Sequence, residues 1–265
     1  MNNILDDIVA KKRLEVEILK RSIPAREMYS GNNDHECISL VKRLKEKGSS
    51  GIIAEFKRRS PSKGWFKPEK AETLNIVMDY QQFGATGISI LTDQSFFGGA
   101  IDDIQKTRKH LQVPILRKDF ILDRIQIHEA RRAGADLVLL IAAILSPCEV
   151  RTLASEAKSL GMEILLELHD ESELGHISDE VDLVGINNRN LKTFAVDMEH
   201  SLRLAEKIPP GFVKVAESGI DDIKAMNMFR SAGYGAFLIG EKFMREQEPG
   251  KAFAQFVNEW KKDFV

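Results

Sequence analysis

The chain has 265 residues, of which 43% are hydrophobic and 29% charged, so it can bury one large core and is not a disordered chain. The formal net charge of −2 and a pI near 6.3 exclude a global basic field, which argues against nucleic acid as the main partner. Cys37 and Cys148 are too few for the disulfide framework of a small secreted protein, so we expect reduced thiols and a cytoplasmic location.

The amino terminus is predicted to be helical and to remain outside any membrane. Residues 3–22 carry apolar side chains at helical spacing with charges between them, which predicts an amphipathic helix without the apolar core of a signal peptide. A second helix is expected from about Glu36 to Lys47. The sequence does not decide whether the two helices cap the bottom of the domain or lean over its mouth. The longest apolar run, Leu137 to Leu145, is too short to cross a bilayer.

From residue 51 onward, strand-like runs alternate with helical patterns. The strand-like runs are 51–56, 87–91, 114–117, 136–140, 162–168, 183–187, 212–216 and 236–240, with helical patterns at 69–83, 146–160 and 221–231 among others. Several helices end in a glycine turn, at Gly84, Gly134, Gly161 and Gly233.

Eight consecutive βα units predict an α/β protein with a (β/α)8 TIM barrel. We expect a single domain over 1–265, with 1–48 as an amino-terminal helical extension and 49–265 as the barrel. A doubly wound open sheet is the competing architecture, but it would need fewer strands or a second domain.

Polar and charged residues gather where these strands end, which is where barrel enzymes carry their active sites. Strict alternation puts Glu55 and Lys57 on one face of the first strand. Corresponding ends of later strands carry Lys118, Glu167, Asn187 with Arg189, and Glu217 with Ser218. One such residue would more often belong to a structural ion pair, but a buried charge costs several kcal/mol unless it is paired or used. The set predicts an acid–base site with at least two carboxylates and two lysines.

The last two strands end in Ser218-Gly219 and Gly240-Glu241, each at the start of a helical segment. Glycine lets backbone N–H groups approach an anion, so these turns are a candidate phosphate site. The alternative is that both glycines merely turn the chain. Glu241 is the awkward residue of this site, because a carboxylate beside a phosphate is repulsive unless its side chain points away.

Other motifs are less informative. The six histidines show no metal-ligand spacing, and no GxGxxG or P-loop is present, so we expect neither a metal nor a nucleotide cofactor. His169 follows Glu167 by two residues and could share its face. For His169 we favour a position at the surface or behind the site over a direct role in it. Cys148 lies at a predicted helix start, but the sequence places no base beside it.

The sequence as a whole resembles the indole-3-glycerol phosphate synthase family. The matching segments occur in family order over nearly the whole chain. They are IIAEFKRRSPSKG at 52–64, ISILTDQSFFGG at 88–99, PILRKDFI at 114–121, GADLVLLIAAIL at 134–145, LLELHD at 165–170, GINNRNL at 185–191, VAESGI at 215–220 and FLIGEKFM at 237–244.

The resemblance implies a lyase of tryptophan biosynthesis that cyclises, decarboxylates and dehydrates 1-(2-carboxyphenylamino)-1-deoxyribulose 5-phosphate without metal or organic cofactor. It implies Lys118 as general acid and Glu167 as general base. Lys57 would bind the substrate carboxylate or phosphate, or act as an acid in dehydration, with Glu55 holding it in place. Asn187 would hydrogen-bond a substrate hydroxyl or an intermediate.

The resemblance also implies the substrate-binding residues. Ser60 and Pro61 match a mobile first loop; Phe97, Phe120, Leu139 and Leu191 match the apolar walls; Arg189, Glu217 and Ser218 match further substrate contacts; and Gly219, Gly240 and Glu241 join Lys57 at the phosphate. Two features depart from the usual pattern. The pair Arg58-Arg59 leaves the charge contacts of the loop open, and Glu241 stands where a small residue is common.

Two other functions remain open from the residues themselves. A class I aldolase on the same barrel would use Lys118 or Lys57 as the nucleophilic amine. A non-catalytic barrel that binds a phosphorylated ligand would keep the fold without the chemistry. Oligomeric state and any association with other enzymes of the pathway are not indicated by the sequence.

Overall fold

The computed structural model describes residues 4–22, 35–190 and 195–263. Eight parallel strands close into a barrel in the order β1-β8-β7-β6-β5-β4-β3-β2, so each strand pairs with its neighbours in sequence and the last pairs with the first. The strands are β1 (Ile52–Phe56), β2 (Gly87–Leu91), β3 (Ile115–Lys118), β4 (Leu137–Ile141), β5 (Glu163–Leu168), β6 (Leu183–Asn187), β7 (Val213–Glu217) and β8 (Ala236–Ile239). Each predicted strand is therefore confirmed, with ends that differ by at most one residue.

Helices surround the barrel. They are α1 (Ile4–Ser22), α2 (Leu40–Lys45), α3 (Thr73–Gln82), α4 (Gln94–Phe97), α5 (Ile101–Arg108), α6 (Arg124–Ala133), α7 (Pro147–Ser159), α8 (Met198–Ala205), α9 (Ile223–Ser231), α10 (Glu241–Met244) and α11 (Pro249–Lys262). Short 3-10 turns cover Ala142–Ile144 and Glu171–His176. Local sequence fixes the ends: Ser146 caps α7 in a capping box with Glu149, and Gly134 ends α6 at φ +95°. Within the described residues, no helix combines the length and apolar character needed to cross a membrane.

Strand alternation divides the core into two parts. One set of side chains fills the inside of the barrel, including Ile53, Leu116 and Leu165. The other set, including Ile52 and Leu166, packs under the surrounding helices. Because both faces are buried, the strands are mainly apolar, and the last inward position is charged in β1, β3, β5 and β7.

The amino-terminal extension lies at both ends of the barrel, which answers a question that the sequence left open. Ile4 and Ile8 of α1 line the pocket at the carboxyl ends of the strands. In contrast, Leu40 of α2 belongs to the cluster inside the barrel, and its backbone N–H donates to the Glu163 carboxylate at the start of β5 over 2.8 Å. Helix α2 is shorter than the predicted 36–47, because Ser39 caps it by accepting from the N–H of Lys42.

A buried lysine fastens α1 to the barrel mouth. Lys12 has a side chain only 5% exposed, and its Nζ lies 2.9 Å from Asp93 and 3.0 Å from Asp119. These carboxylates follow the ends of β2 and β3. Burial alone would lower the pKa of Lys12, but Asp119 and Asp93 together raise it above its ordinary value. The ammonium therefore stays charged and holds the extension over these two strands.

Candidate active site

Four charged side chains meet inside the barrel mouth, carried by β1, β3, β5 and β7. Lys118 is central to them, with its Nζ 2.7 Å from Glu167 and 3.2 Å from Glu217. Strand alternation causes this meeting, because each of these residues follows an interior apolar residue by two positions. The predicted gathering of strand-end charges is thus observed.

Lys57 forms a second pair beside this cluster. Its Nζ lies 2.8 Å from the Oε1 of Glu55, and the two side chains are 15% and 5% exposed. The ring of Phe66 lies 5.9 Å from the same ammonium. Glu55 thus holds Lys57 at the rim, while Lys118 lies deeper, between two carboxylates.

Burial and charge set different protonation states on the two carboxylates. Burial would raise the pKa of Glu167, but Lys118 and His169 hold that pKa well below its ordinary range. Burial raises the pKa of Glu217 to about 8, and the charge of Glu167 adds to the effect of burial. The pKa of Lys118 is lowered by burial but raised more strongly by Glu167 and Glu217. At neutral pH the cluster holds an ammonium, one carboxylate and one carboxylic acid.

The ionised Glu167 is held by two hydrogen-bond donors and faces one imidazole. Its Oε2 accepts from Lys118 over 2.7 Å, and its Oε1 accepts from the Asn187 amide over 3.1 Å. The Nε2 of His169 lies 3.2 Å from the same Oε1. The orientation of this carboxylate is therefore fixed from three sides.

The structure brings together nearly all the residues predicted for the site. One pocket at the barrel mouth is lined by Glu55, Lys57, Ser60, Pro61, Phe97, Lys118, Phe120, Leu139, Glu167, Asn187, Arg189, Glu217, Ser218, Gly219, Gly240 and Glu241. Leu191, predicted for the apolar wall, lies outside the described residues. Ile4, Leu5 and Ile8 of α1 also line this pocket and were not singled out from the sequence.

The pocket has an apolar side and a polar side. The rings of Phe97 and Phe120 lie with centroids 6.1 Å apart, and Leu139 and Ile8 contribute further apolar surface. This side suits a flat aromatic group. The other side is formed by the turns after β7 and β8, so an aromatic ring and a phosphate fit at opposite ends.

The turn after β7 has an unusual backbone. Ser218 and Gly219 follow one another at φ +68° and +69°, and Ser218 is the one residue other than glycine with positive φ in the described ranges. Such strained residues cluster at functional sites. Two successive residues in this region direct neighbouring N–H groups to one concave face, which suits an anion.

Gly240 was expected to let backbone N–H groups approach an anion, but in the structure the glycine is needed to make room for a neighbouring side chain. A side-chain carbon at this position would lie 2.6 Å from the Oε1 of Glu55, so glycine makes room for that carboxylate. The side chain of Glu241 is directed to Arg189, whose guanidinium lies 3.3 Å from it. The awkward carboxylate is therefore neutralised by a neighbouring cation.

The two arginines of the first loop also have defined contacts. Arg58 is buried and bonds both carboxylate oxygens of Asp103, at 2.6 and 2.8 Å. Its guanidinium also donates to the carbonyls of Gly98 and Ala71. Arg59 lies over the ring of Trp65 at 5.2 Å. Arg58 thus anchors the base of the loop that carries Ser60 and Pro61.

Gly185 is a residue of the site that sequence reasoning missed. It is an inward position of β6, and a side-chain carbon there would lie 2.1 Å from the Oε1 of Glu217. Its backbone is ordinary strand, so the glycine is needed for space alone. A glycine inside a strand often marks such a close approach.

We expect Gly185→Ala to displace the Glu217 carboxyl from Lys118 and to lower kcat by about tenfold to a hundredfold, because small misplacements in a site are costly. Steady-state kinetics on the folded variant would measure this. Gly175→Ala is the matched control, since nothing lies within 4 Å of a methyl group there. Equal kcat in the two variants would contradict the assignment, whereas partial recovery on adding Glu217→Asp, which shortens the crowded side chain, would support it.

The chain is similar to a family of proteins of known function. The family model for indole-3-glycerol phosphate synthase matches residues 5–256. An indole-3-glycerol phosphate synthase of Bacteroides thetaiotaomicron is 48% identical over 97% of this chain and 98% of its own length. One from Polaromonas naphthalenivorans is 41% identical over 98% of this chain and 100% of its own length.

Solved structures agree with the architecture. The tryptophan synthase alpha subunit of Legionella pneumophila has a TM-score of 0.63 and 13% identity, covering 86% of this chain and 100% of its own. The 3-hexulose-6-phosphate synthase of Salmonella typhimurium has a TM-score of 0.60 and 10% identity, covering 79% and 99%. At this level of identity the likeness concerns the fold alone.

Proposed function

This chain belongs to the indole-3-glycerol phosphate synthase family, and we propose that its barrel mouth closes the indole ring with Lys118 as general acid and Glu167 as general base. The protein is accordingly a carboxy-lyase of tryptophan biosynthesis. Its substrate is 1-(2-carboxyphenylamino)-1-deoxyribulose 5-phosphate, and its product is indole-3-glycerol phosphate. The observation that carries the residue roles is the position of Lys118 between two carboxylates, one ionised and one protonated.

In ring closure, the aromatic carbon that bears the carboxylate attacks the ribulose carbonyl. Lys118 donates a proton to the carbonyl oxygen as it becomes a hydroxyl group. Loss of carbon dioxide then restores the aromatic ring. A buried ammonium supports this role, because it provides both the proton and a positive charge where negative charge develops.

In dehydration, the new hydroxyl leaves as water and a proton is lost from the neighbouring carbon. Glu167 accepts that proton. Its low pKa, which keeps it ionised, and its two hydrogen-bond donors, which keep it oriented, support this role. Lys57 is the second lysine of the site and the candidate acid for the departing hydroxyl. Glu55 holds it in place. Asn187 would bind a hydroxyl group while it holds Glu167.

The shape of the pocket supports the way the substrate would bind. The anthranilate ring would lie against Phe97, Phe120 and Leu139, with Leu191 as a further predicted contact. The phosphate would accept hydrogen bonds from the turns at Ser218-Gly219 and Gly240, with Arg189 and Lys57 supplying positive charge and Glu241 tied to Arg189. Ser60 and Pro61 would close over the ring and exclude water.

The test of this function is direct. Purified protein is mixed with the carboxyphenylamino-deoxyribulose phosphate in the presence of a chelator, and the appearance of indole fluorescence is followed. A rise that scales with protein concentration is the expected result. Folded protein that gives no rise, but forms a borohydride-trapped adduct at Lys118 with a keto-phosphate, would replace this function with the aldolase.

Three properties remain predictions. We propose that 1–265 behaves as one domain, which would be tested by a single cooperative unfolding transition. We also propose a cytoplasmic location with Cys37 and Cys148 reduced, in keeping with the burial that raises the pKa of Cys37 to about 11. Nucleic acid is not expected as a partner.

A further inference from the structure

We propose that His169 is a positioning residue for the general base, holding the Glu167 carboxylate ionised and oriented during the part of the cycle in which Lys118 has given up its proton. This inference rests on the proposed roles of Lys118 and Glu167. It assigns a function to a side chain outside the described pocket lining.

The position of His169 follows from the strand that precedes it. Glu167 is an inward residue of β5, and His169 follows two positions later, so the imidazole returns to the same side. The ring lies behind the carboxylate with its Nε2 3.2 Å from Oε1, and its side chain is 13% exposed. Within the described residues, neither ring nitrogen meets the geometry of a hydrogen bond, and the Glu167 carboxylate is the charged group that lies within ion-pair distance of Nε2.

The backbone of His169 is tightly held. Its N–H donates to Glu173 over 2.6 Å, and its carbonyl lies 2.9 Å from the Nε2 of His200. Glu173 also belongs to the capping box begun by Asp170. The loop therefore holds the imidazole in one orientation. A fixed orientation is needed if the ring is to position the neighbouring Glu167 carboxylate.

The chemistry explains why Glu167 needs this neighbour. Lys118 is both the proton donor and the main positive charge on Glu167. Once Lys118 transfers its proton to the substrate, Glu167 loses its counter-charge at the stage before it must act as a base. Asn187, through a hydrogen bond, and His169, at ion-pair distance, are the groups that remain beside Oε1. His169 differs from Asn187 because it can also carry a positive charge.

Several other charged groups contribute to the same proton equilibrium. Lys118 and Glu217 face Glu167 from β3 and β7, and Glu55 acts on Lys118 from β1. Near the imidazole are Glu173, Asp170 and His200, of which the first and last contact its backbone. Of the three titratable groups that face Glu167 itself, Lys118, Glu217 and His169, His169 is the one whose removal leaves both Lys118 ion pairs intact.

The test compares His169→Ala with His169→Gln, whose amide can restore a donor. In His169→Ala we expect kcat to fall by about tenfold with little change in KM, because a close polar neighbour of a charged group is lost. Removing a donor to the ionised form raises the pKa of Glu167, so the acidic limb of the kcat–pH profile should move upward by about one pH unit. His169→Gln should recover most of both effects.

His176→Ala is the matched control from the same loop. Both nitrogens of His176 contact backbone carbonyls, those of Glu173 and Leu145, so its loss should lower the melting temperature without moving the acidic limb. A His169→Ala profile that matches the wild type would overturn the inference, and so would a profile that moves equally in His176→Ala. Wild-type protein without turnover would instead refute the proposed function.

If His169→Ala does not fold, His169→Phe gives a second measurement, because it keeps a ring and removes the nitrogen that faces Glu167. Its acidic limb should move in the direction expected for His169→Ala. A wild-type kcat–pH profile in this variant would overturn the inference.

Discussion

Replacing Lys118 by alanine is expected to lower kcat by about a thousandfold or more, which is within the range for loss of a general acid. The variant loses the proton donor for the ribulose carbonyl and the positive charge between Glu167 and Glu217. The fold should survive, because the pKa of Glu217 is already raised to about 8 and this group remains a neutral acid without the ammonium. Two buried carboxylates therefore need not both be charged.

The measurement is the rate of indole fluorescence at saturating substrate, together with the melting temperature. Lys158→Ala is the matched control, because Lys158 also pairs with a carboxylate, that of Asp182 at 2.6 Å, but at the amino ends of the strands. We expect this control to keep wild-type kcat. A Lys118→Ala variant that turns over at more than a tenth of the wild-type rate would contradict the general-acid role.

The barrel and most of the site were predictable because both depend on local pattern. Alternation with a period of two decides which residues of a strand point inward, so Glu55 and Glu167 could be assigned to the mouth without coordinates. A glycine such as Gly161, at φ +76° with nothing within 4 Å of an added methyl group, follows a helix for reasons of backbone conformation alone. Neither inference requires knowledge of which strands are neighbours.

Other features depend on contacts between distant parts of the chain. The need for glycine at Gly185 comes from Glu217 on the next strand, and no local pattern reveals it. The placement of α1 depends on the ion pairs that Lys12 forms with Asp93 and Asp119 at the barrel mouth. A signal was present, since Lys12 lies four residues from both Ile8 and Val16 and therefore occupies the buried side of the helix. A lysine on that side indicates a buried carboxylate partner.

Glutamine at position 167 is expected to lower kcat by about a hundredfold to ten thousandfold, because an amide cannot accept the proton lost in dehydration. The same change at the neighbouring carboxyl, Glu217→Gln, should cost far less, about tenfold or below near pH 7. Burial raises the pKa of Glu217 to about 8, so this residue is already neutral there and an amide of the same shape replaces it.

The pair of variants separates the two carboxyl groups by role. In Glu167→Gln, the negative charge that helps to raise the pKa of Glu217 is gone, so Glu217 ionises more readily and becomes the partner of Lys118 at 3.2 Å. The cluster keeps one ammonium and one carboxylate, so stability should change little. The remaining carboxylate, Glu217, is on β7 and not on β5, so it is not placed to accept the proton that is lost in dehydration. The test is kcat from pH 5 to pH 9 for both variants. Equal losses in the two would mean that Glu167 and Glu217 act as one unit, and the assignment of the base to Glu167 alone would be wrong.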